Sequence, residues 1–169
     1  MTESGGELTE LFRIAFRNHA ARVAIITAED GDGPLGLTAT SVISVSADPA
    51  LLAFSLSGRS RTAARIARVD TVVVHLLSAG QVELAKRFSV SGVDRFAAPA
   101  SWRRLATGEP LLLGVDSWLR GRIVRRCAVA DATLSVVDVL QAEPGSLSDP
   151  PLVYRDRSWY ALDETAEVA

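Results

Sequence analysis

The sequence has little of what several common protein classes require. Its one cysteine, Cys127, excludes an intrachain disulfide framework, which fits a reducing compartment. Eighteen basic side chains against 20 acidic ones give a net charge of −2, so no basic excess marks the chain as a binder of nucleic acid or of anionic membranes. The two histidines, His19 and His75, lie far apart in the sequence and lack cysteine partners, so no metal site is predicted.

Long apolar runs are also absent. No stretch reaches transmembrane length, and the first ten residues, MTESGGELTE, lack the basic and apolar regions of a signal peptide. A soluble cytoplasmic protein is therefore expected. No serine stands in a G-x-S-x-G nucleophile elbow, and we predict no catalytic side chain. The apolar strand pattern around Cys127 predicts a buried thiol, and the run TVVVHLL predicts that His75 is satisfied within a sheet.

The chain does have enough apolar content for one core. Hydrophobic residues make up 48% of its 169 residues, which suits a single domain. We expect a disordered N-terminus over residues 1–6, one domain over 7–163, and a flexible tail over 164–169.

The periodicity of the apolar residues predicts more strands than helices. Helical patterns occur over 8–16, 62–69 and 78–88, and residues 89–110 are expected to be irregular. Strands are predicted over residues 22–28, 41–47, 51–56, 71–77, 117–128, 133–141, 152–154 and 158–162. Because strands and helices do not alternate regularly, we expect a mainly β fold, a closed or nearly closed antiparallel barrel with flanking helices.

The most informative stretch is GLTATSVISVSADPALLAFSLSGRSRT, residues 36–62. The small hydroxyl residues at its start can hydrogen-bond the polar edge of a flat heteroaromatic ring. The S-G-R-S-R-T loop at its end carries Arg59 and Arg61 just before a helical pattern, which suits a phosphate group. Taken alone, the hydroxyl run also fits a plain β-strand, and the loop also fits a helix start with solvated arginines.

Five segments of the chain, in order, resemble the flavin reductase-like, FMN-binding split-barrel family, the small reductase components of two-component monooxygenases. The segments are HAARVAIITA (19–28), GLTATSVISVSADPALLAFSL (36–56), SGRSRT (57–62), LAKRFSVSGVDRF (84–96) and PLVYRDRSWYAL (151–162). Together they span most of residues 10–162, and the ordered set is more specific than any one segment.

The resemblance implies an FMN-binding split barrel that passes hydride from NADH or NADPH to FMN or FAD, for use by a separate monooxygenase. It also implies a homodimer, because the flavin lies at or near a dimer interface in the family. The residues implied to bind the flavin lie in the hydroxyl run, in the loop after it and in the third predicted helix. They are Thr38, Ala39, Thr40, Ser41, Ser57, Arg59, Ser60, Arg61, Thr62 and Phe88.

One departure from the family pattern concerns the electron donor. Many family reductases carry Gly-Asp-His beside the nicotinamide, and this chain has Ala132 in place of the histidine. Alanine offers neither a ring to stack nor a side-chain hydrogen bond, so donor binding is expected to be weaker or to use other groups. The aromatic residues of the closing strands, Tyr154, Trp159 and Tyr160, are candidates for that role.

Two alternatives to a reductase follow from the same residues. The first is a flavin-binding protein without reductase activity, such as a carrier, a redox sensor or a partner-bound module. The second, a heme or deazaflavin binder on a related split barrel, fits the hydroxyl run and the S-G-R-S-R-T loop less well.

Overall fold

The computed structural model describes residues 5–146 and 148–166 of the chain. The predicted disordered start and flexible tail therefore fall partly outside the described residues, at 1–4 and 167–169. Helix α1 begins at Gly5, and a 3₁₀ turn covers Glu164–Ala166. The limits of the domain itself stay a prediction.

Strands dominate the described chain, and the helices are few. The helices are α1 Gly5–Arg17, α2 Arg61–Ile66 and α3 Val82–Ser89. The strands are β1 Ala21–Arg22, β2 Ala24–Glu29, β3 Pro34–Ala39, β4 Ile43–Ala47, β5 Ala50–Ser57, β6 Thr71–Leu76, β7 Trp102–Arg104, β8 Pro110–Leu112, β9 Ser117–Val129, β10 Ala132–Pro144, β11 Leu152–Arg155 and β12 Ser158–Ala161.

Seven strands form one antiparallel sheet in the order β3-β2-β6-β9-β10-β5-β4. Its edge strands β3 and β4 do not pair with each other in the described part of the chain, so the sheet is not closed, as in a split barrel. β1, β11 and β12 form a separate three-stranded sheet, and β7 pairs with β8. The predicted mainly β fold with flanking helices is confirmed.

Two apolar clusters pack on opposite faces of the central strands. Successive residues of a strand point to opposite faces, so Ile26 enters one cluster with Phe54, and Ile25 enters the other with Phe88. β6 is buried on both faces, as its continuous apolar run predicts. His75, in this strand, is fully buried and satisfied, which confirms its predicted structural role.

Helix α3 lies against β3 at a contact that requires glycine. A Cβ at Gly36 would come within 2.5 Å of the Phe88 ring, so any larger residue would push the helix and strand apart. The helix predicted over 78–88 is present as a 3₁₀ turn followed by α3, and the backbone N–H of Ser78 donates to the Gln81 side chain at 2.9 Å. This packing fixes Phe88 beside the end of β3.

The glycine-rich segment GDGPLG, residues 31–36, has the glycine spacing of a dinucleotide-binding loop but not its surroundings. It connects two antiparallel strands, β2 and β3, instead of a strand and a helix. Gly31 and Gly33 adopt positive φ angles of 92° and 127°, which a tight hairpin loop needs. Gly31 and Gly33 therefore have a structural role in the β2–β3 hairpin loop.

Two predictions from the sequence are wrong. The segment over 89–110 contains a regular strand, β7, which pairs with β8. Cys127 is exposed, because it lies in the last part of β9, where all side chains after Ile123 are exposed on both faces of the strand. A period of apolar residues cannot reveal whether anything packs on the strand.

Helix α1 makes little contact with the rest of the described chain. All its described side chains are exposed, including the apolar stripe, and Leu8 and Phe12 are 61% and 60% exposed. An isolated helix of 13 residues is only marginally stable in water, so this stripe needs a surface that the described chain does not supply. No helix in the described ranges is both long and apolar enough to cross a membrane.

Candidate functional site

A cleft of about 380 Å³ opens between the end of β3, strand β5, helix α3 and the loop after α3. Seven of the ten residues predicted to bind flavin line it, namely Thr38, Ala39, Thr40, Ser41, Ser57, Ser60 and Phe88. We call this surface the hydroxyl-lined cleft. Its other lining residues are Leu37, Ser55, Leu56, Ala63, Ser89, Ser91 and Arg95.

The hydroxyl run shapes one wall of this cleft. The Thr38 hydroxyl donates to the Ala85 carbonyl at 2.7 Å, which ties β3 to α3. The Ser41 hydroxyl donates to the Ser55 carbonyl at 2.8 Å and accepts from the Ser55 N–H at 3.1 Å. These bonds fix the wall, and they leave the exposed Thr40 hydroxyl and the backbone groups of the run to meet a ligand.

The S-G-R-S-R-T loop forms the opposite end of the cleft and starts α2. The Ser60 hydroxyl accepts from the Ala63 N–H at 3.3 Å, the ordinary bond of an N-cap residue. Ser57 and Ser60 line the cleft, whereas Arg59, Arg61 and Thr62 do not. The loop therefore supplies hydroxyls to the cleft, and its two arginines lie outside the lining.

The turn between β9 and β10 holds this loop in place. The Gly58 N–H donates to the Asp131 carbonyl at 2.5 Å, and a Cβ at Gly58 would lie 2.7 Å from the same oxygen. The Arg59 Nε donates to the Asp131 carboxylate at 2.8 Å, in an exposed ion pair. Ala132 pairs with Ser57 across β10 and β5, which places the family's histidine position beside the cleft.

Arg95, a residue of the family-like segment LAKRFSVSGVDRF, also lines the cleft. Its Nη1 donates to the Thr62 hydroxyl at 3.3 Å, and its Nη2 donates to the Val90 carbonyl at 2.6 Å. Its Nε is buried without a partner among the described residues. Burial removes water from this guanidinium and so lowers its pKa.

The charge of the hydroxyl-lined cleft comes from Arg95 alone among its lining residues. No aspartate or glutamate belongs to the lining. A partly buried guanidinium with an orphan N–H, in a cleft free of carboxylates, is a site for an anion, because the anion would satisfy the donor and the charge together. LAKRFSVSGVDRF already marked this region in the sequence, but not which arginine enters the cleft.

Phe88, the one aromatic residue in the lining of the cleft, belongs to a stack of three aromatic rings. The Phe88 and Phe96 rings meet edge to face, with centroids 5.4 Å apart, and Phe96 meets Trp102 in the same way at 5.1 Å. The Trp102 indole N–H donates to the Phe96 carbonyl at 3.0 Å. These contacts hold the Phe88 ring in place next to the loop that carries Arg95.

Comparison with known proteins identifies the family. Residues 16–163 match the model of the flavin reductase like domain. The NADH:FMN oxidoreductase of Rhodococcus qingshengii is 38% identical over 152 residues, which cover 88% of this chain and 79% of that protein.

Two solved structures share the fold and part of the sequence. A flavin reductase domain protein from Arthrobacter sp. FB24 has a TM-score of 0.85 and 34% identity, with 90% of this chain and 94% of that chain covered. BorF, the flavin reductase component of a bacterial two-component tryptophan halogenase, has a TM-score of 0.81 and 27% identity, with 92% and 99% covered. The chain belongs to the flavin reductase-like domain family.

Proposed function

We propose that this protein is an NAD(P)H:flavin oxidoreductase that reduces FMN, or FAD, and releases the reduced flavin to a partner monooxygenase. The observation that carries the proposal is the hydroxyl-lined cleft with its orphan Arg95 Nε, in a chain of the flavin reductase-like family. The relative from Rhodococcus qingshengii is named for the use of NADH and FMN, which favours that pair here.

The residues present fit a flavin phosphate at one end of the cleft and a flavin ring at the other. Thr38, Ala39, Thr40 and Ser41 offer backbone and hydroxyl groups to the polar edge of the ring. Arg95, joined by the hydroxyls of Ser57 and Ser60, holds the phosphate. Phe88 contributes its ring to the lining of the cleft. The other predicted residues belong to the S-G-R-S-R-T loop beside the phosphate end of the cleft, namely Arg59, Arg61 and Thr62.

The reaction requires the protein to position the donor and the flavin, and it does not require an acid or base side chain. A flavin held by the residues of the cleft would supply N5 as the acceptor of the hydride from C4 of the reduced nicotinamide, so that NADH, FMN and one proton would give NAD⁺ and reduced FMN. The protein residues hold the ring edge against the β3 wall and keep water from the covered face. This is consistent with a cleft lined by hydroxyls and one cation.

Reduced flavin that leaves such a cleft has to reach a second protein quickly. The structural relative BorF is the reductase component of a two-component system. A separate flavin-dependent monooxygenase is therefore the partner proposed here. The rival proposal, a flavin binder without reductase activity, is favoured only by Ala132 at the position beside Ser57.

A homodimer is proposed because the chain exposes an apolar surface that a monomer would not leave in water. The stripe of α1 and the edge strand β4 contribute Leu8, Leu11, Phe12, Phe16, Ile43 and Val45, all exposed. A second copy offers the same surface under two-fold symmetry and can cover it.

Steady-state oxidation of NADH and of NADPH by the purified protein, with FMN, FAD, riboflavin or no flavin added, tests the proposed function. The expected result is oxidation that depends on added flavin and is fastest with the NADH and FMN pair. Saturable flavin binding without oxidation of either donor would replace the reductase by the non-reductase flavin binder. Absence of both would contradict the whole proposal.

A further inference from the structure

Helix α2 carries several of the groups that build the end of the hydroxyl-lined cleft proposed to bind the flavin phosphate. Ser60, its N-cap residue, and Ala63, in its first turn, both line the cleft. Between them, Thr62 accepts at its hydroxyl a hydrogen bond from the Nη1 of Arg95 at 3.3 Å. The position of this helix therefore sets where the Ser60 hydroxyl and the Arg95 guanidinium lie relative to each other.

Helix α2 is too short to fix its own position. It has six residues, Arg61–Ile66, and an isolated helix of that length is unstable in water. Ala63 and Ile66 are buried in the apolar cluster that contains Phe54. Apolar burial is non-directional, so it keeps the helix on the sheet without setting how far the helix shifts along it. Directional contacts are needed for that.

Arg126 supplies directional contacts at the C-terminal end of α2. Its Nε donates to the carbonyl of Ala67, the C-cap residue, at 2.8 Å, and its Nη2 donates to the Val69 carbonyl. The last carbonyls of a helix have no partner within the helix, and they favour a cation. Because the guanidinium is planar and offers two N–H groups at once, it fixes both the distance and the direction of the helix end.

The hairpin that carries Arg126 also contacts the chain before α2. Arg126 lies in the last part of β9, and the turn from β9 to β10 contains Asp131. The Asp131 carbonyl accepts from the Gly58 N–H, and its carboxylate pairs with Arg59. One hairpin thus makes hydrogen bonds to the chain on both sides of α2. A change at the Arg126 end leaves the Asp131 contacts in place, so the two ends can be tested separately.

A second directional contact joins α2 to the β2–β3 loop. Arg65 donates to the Asp30 carboxylate with two N–H groups, from Nε at 2.5 Å and from Nη2 at 2.6 Å. The Asp30 side chain is only 18% exposed, so water and salt screen this pair less than a fully exposed one. The bidentate pair holds the same helix from a different part of the sheet, and it offers a second way to loosen α2.

We infer that Arg126 is a positioning residue for the flavin phosphate, an inference that rests on the proposed function. Arg126 is not among the residues that line the cleft, so it acts through α2. By holding the end of the helix, it keeps Ser60, and through Thr62 also Arg95, at the spacing that the phosphate oxygens need. The groups proposed for the flavin ring belong to the hydroxyl run and do not depend on α2.

The test compares the dissociation constants of FMN and of riboflavin, measured by fluorescence titration of the original chain and of Arg126→Gln. Glutamine keeps part of the aliphatic stem and loses the charge and the two-pronged donor. The Kd for FMN should rise about fivefold to tenfold, whereas the Kd for riboflavin, which has no phosphate, should stay nearly unchanged. Steady-state oxidation of NADH should show the same split, with a higher KM for FMN and a similar kcat.

Three further variants make the result specific. Arg126→Lys keeps the charge and should recover part of the loss. Arg68→Gln removes an exposed arginine next to the same helix end and should leave both affinities unchanged. Asp30→Asn weakens the pair with Arg65 and should give the same selective loss of FMN, because it loosens the same helix. Thermal unfolding followed by circular dichroism shows that each variant is folded at the temperature of the titration.

Other outcomes overturn the inference and can be told apart from a failure of the proposed function. Equal losses of FMN and riboflavin in Arg126→Gln would show that Arg126 stabilises the fold as a whole and does not position the phosphate end. Unchanged affinity for both flavins in the folded variant would also overturn it. If Arg126→Gln does not fold, the same selective loss of FMN is required of Arg126→Lys. If the original chain binds neither flavin, the proposed function fails first.

Discussion

At the scale of residues, the candidates for contact with the flavin phosphate are three arginines. The sequence predicts Arg59 or Arg61, because both lie in the loop before α2, and the lining of the cleft favours Arg95. Asp131, which engages Arg59, is 72 residues away in the sequence, and no local pattern predicts that ion pair. Arg95 lies in the loop after α3, in the segment LAKRFSVSGVDRF, and the lining of the cleft distinguishes it from Arg87 of the same segment.

Replacing Arg95 by glutamine should weaken FMN binding by about 1.5–3 kcal/mol, the usual contribution of a hydrogen bond to a charged group. Riboflavin, which has no phosphate, should lose much less. Fluorescence titration with both flavins measures the two affinities. Arg61→Gln is the matched comparison, and selective loss of FMN in that variant but not in Arg95→Gln would transfer the phosphate role to Arg61.

His75 makes stability depend on pH. Burial lowers its pKa from 6.5 to about 4, although a hydrogen bond to the Ile25 carbonyl at 3.2 Å opposes the shift. The neutral ring also accepts from the Leu112 N–H at 3.0 Å. Between these two pKa values the unfolded chain binds a proton that the folded chain does not, so the free energy of unfolding falls as pH falls.

The expected loss between pH 6.5 and about 4 is at most roughly 3 kcal/mol, from the size of the shift. Urea unfolding at a series of pH values measures it. His75→Gln, which cannot titrate, should show a smaller loss over this range than the original chain. Equal pH dependence of the two proteins would show that His75 is not the group responsible.

At the scale of elements, the β9–β10 hairpin connects the two parts of the site. Its turn holds the S-G-R-S-R-T loop through Gly58 and Arg59, and its first β10 residue, Ala132, lies beside Ser57. Both long strands were predictable, because their apolar patterns are strong. The pairing of β10 with β5 was not predictable, since register between distant strands is set by packing in three dimensions.

Ala132→His should lower the KM for NADH, because an imidazole beside the cleft can contact the nicotinamide in the ground state and in the transition state. The change should leave FMN affinity nearly unaltered. Steady-state kinetics with NADH and a flavin titration measure the two effects. Ser44→His, a polar replacement on β4 outside the hydroxyl-lined cleft, serves as the control. A KM unchanged by Ala132→His would show that the donor does not pass this position.

At the scale of the whole molecule, the exposed apolar stripe of α1 is the observation that supports the proposed homodimer. Its apolar stripe was predictable as helical from the spacing of Leu8, Leu11, Phe12 and Phe16. The fold class was predictable as well, from the number and clustering of strands. The exposure of α1 was not predictable from the sequence, because periodicity identifies an apolar face but does not show what covers that face.

Light scattering of the purified protein should give about twice the chain mass, since the proposed homodimer would cover the stripe with a second copy. Phe12→Asp places a charge on that stripe and should shift the equilibrium to monomer. Leu113→Asp, at another exposed apolar position outside α1, should leave the mass unchanged. A monomer at all concentrations that still binds flavin would contradict the proposed dimer.

The account's central claim is that this chain brings a reduced nicotinamide and a flavin together so that hydride passes between them. Anaerobic rapid mixing of the protein with FMN and NADH tests this most directly. We predict that the absorbance of oxidised flavin falls together with that of NADH, one FMN for each NADH, and that deuterium at C4 of NADH slows both. Flavin that binds to the protein but stays oxidised in the presence of excess NADH would contradict the claim.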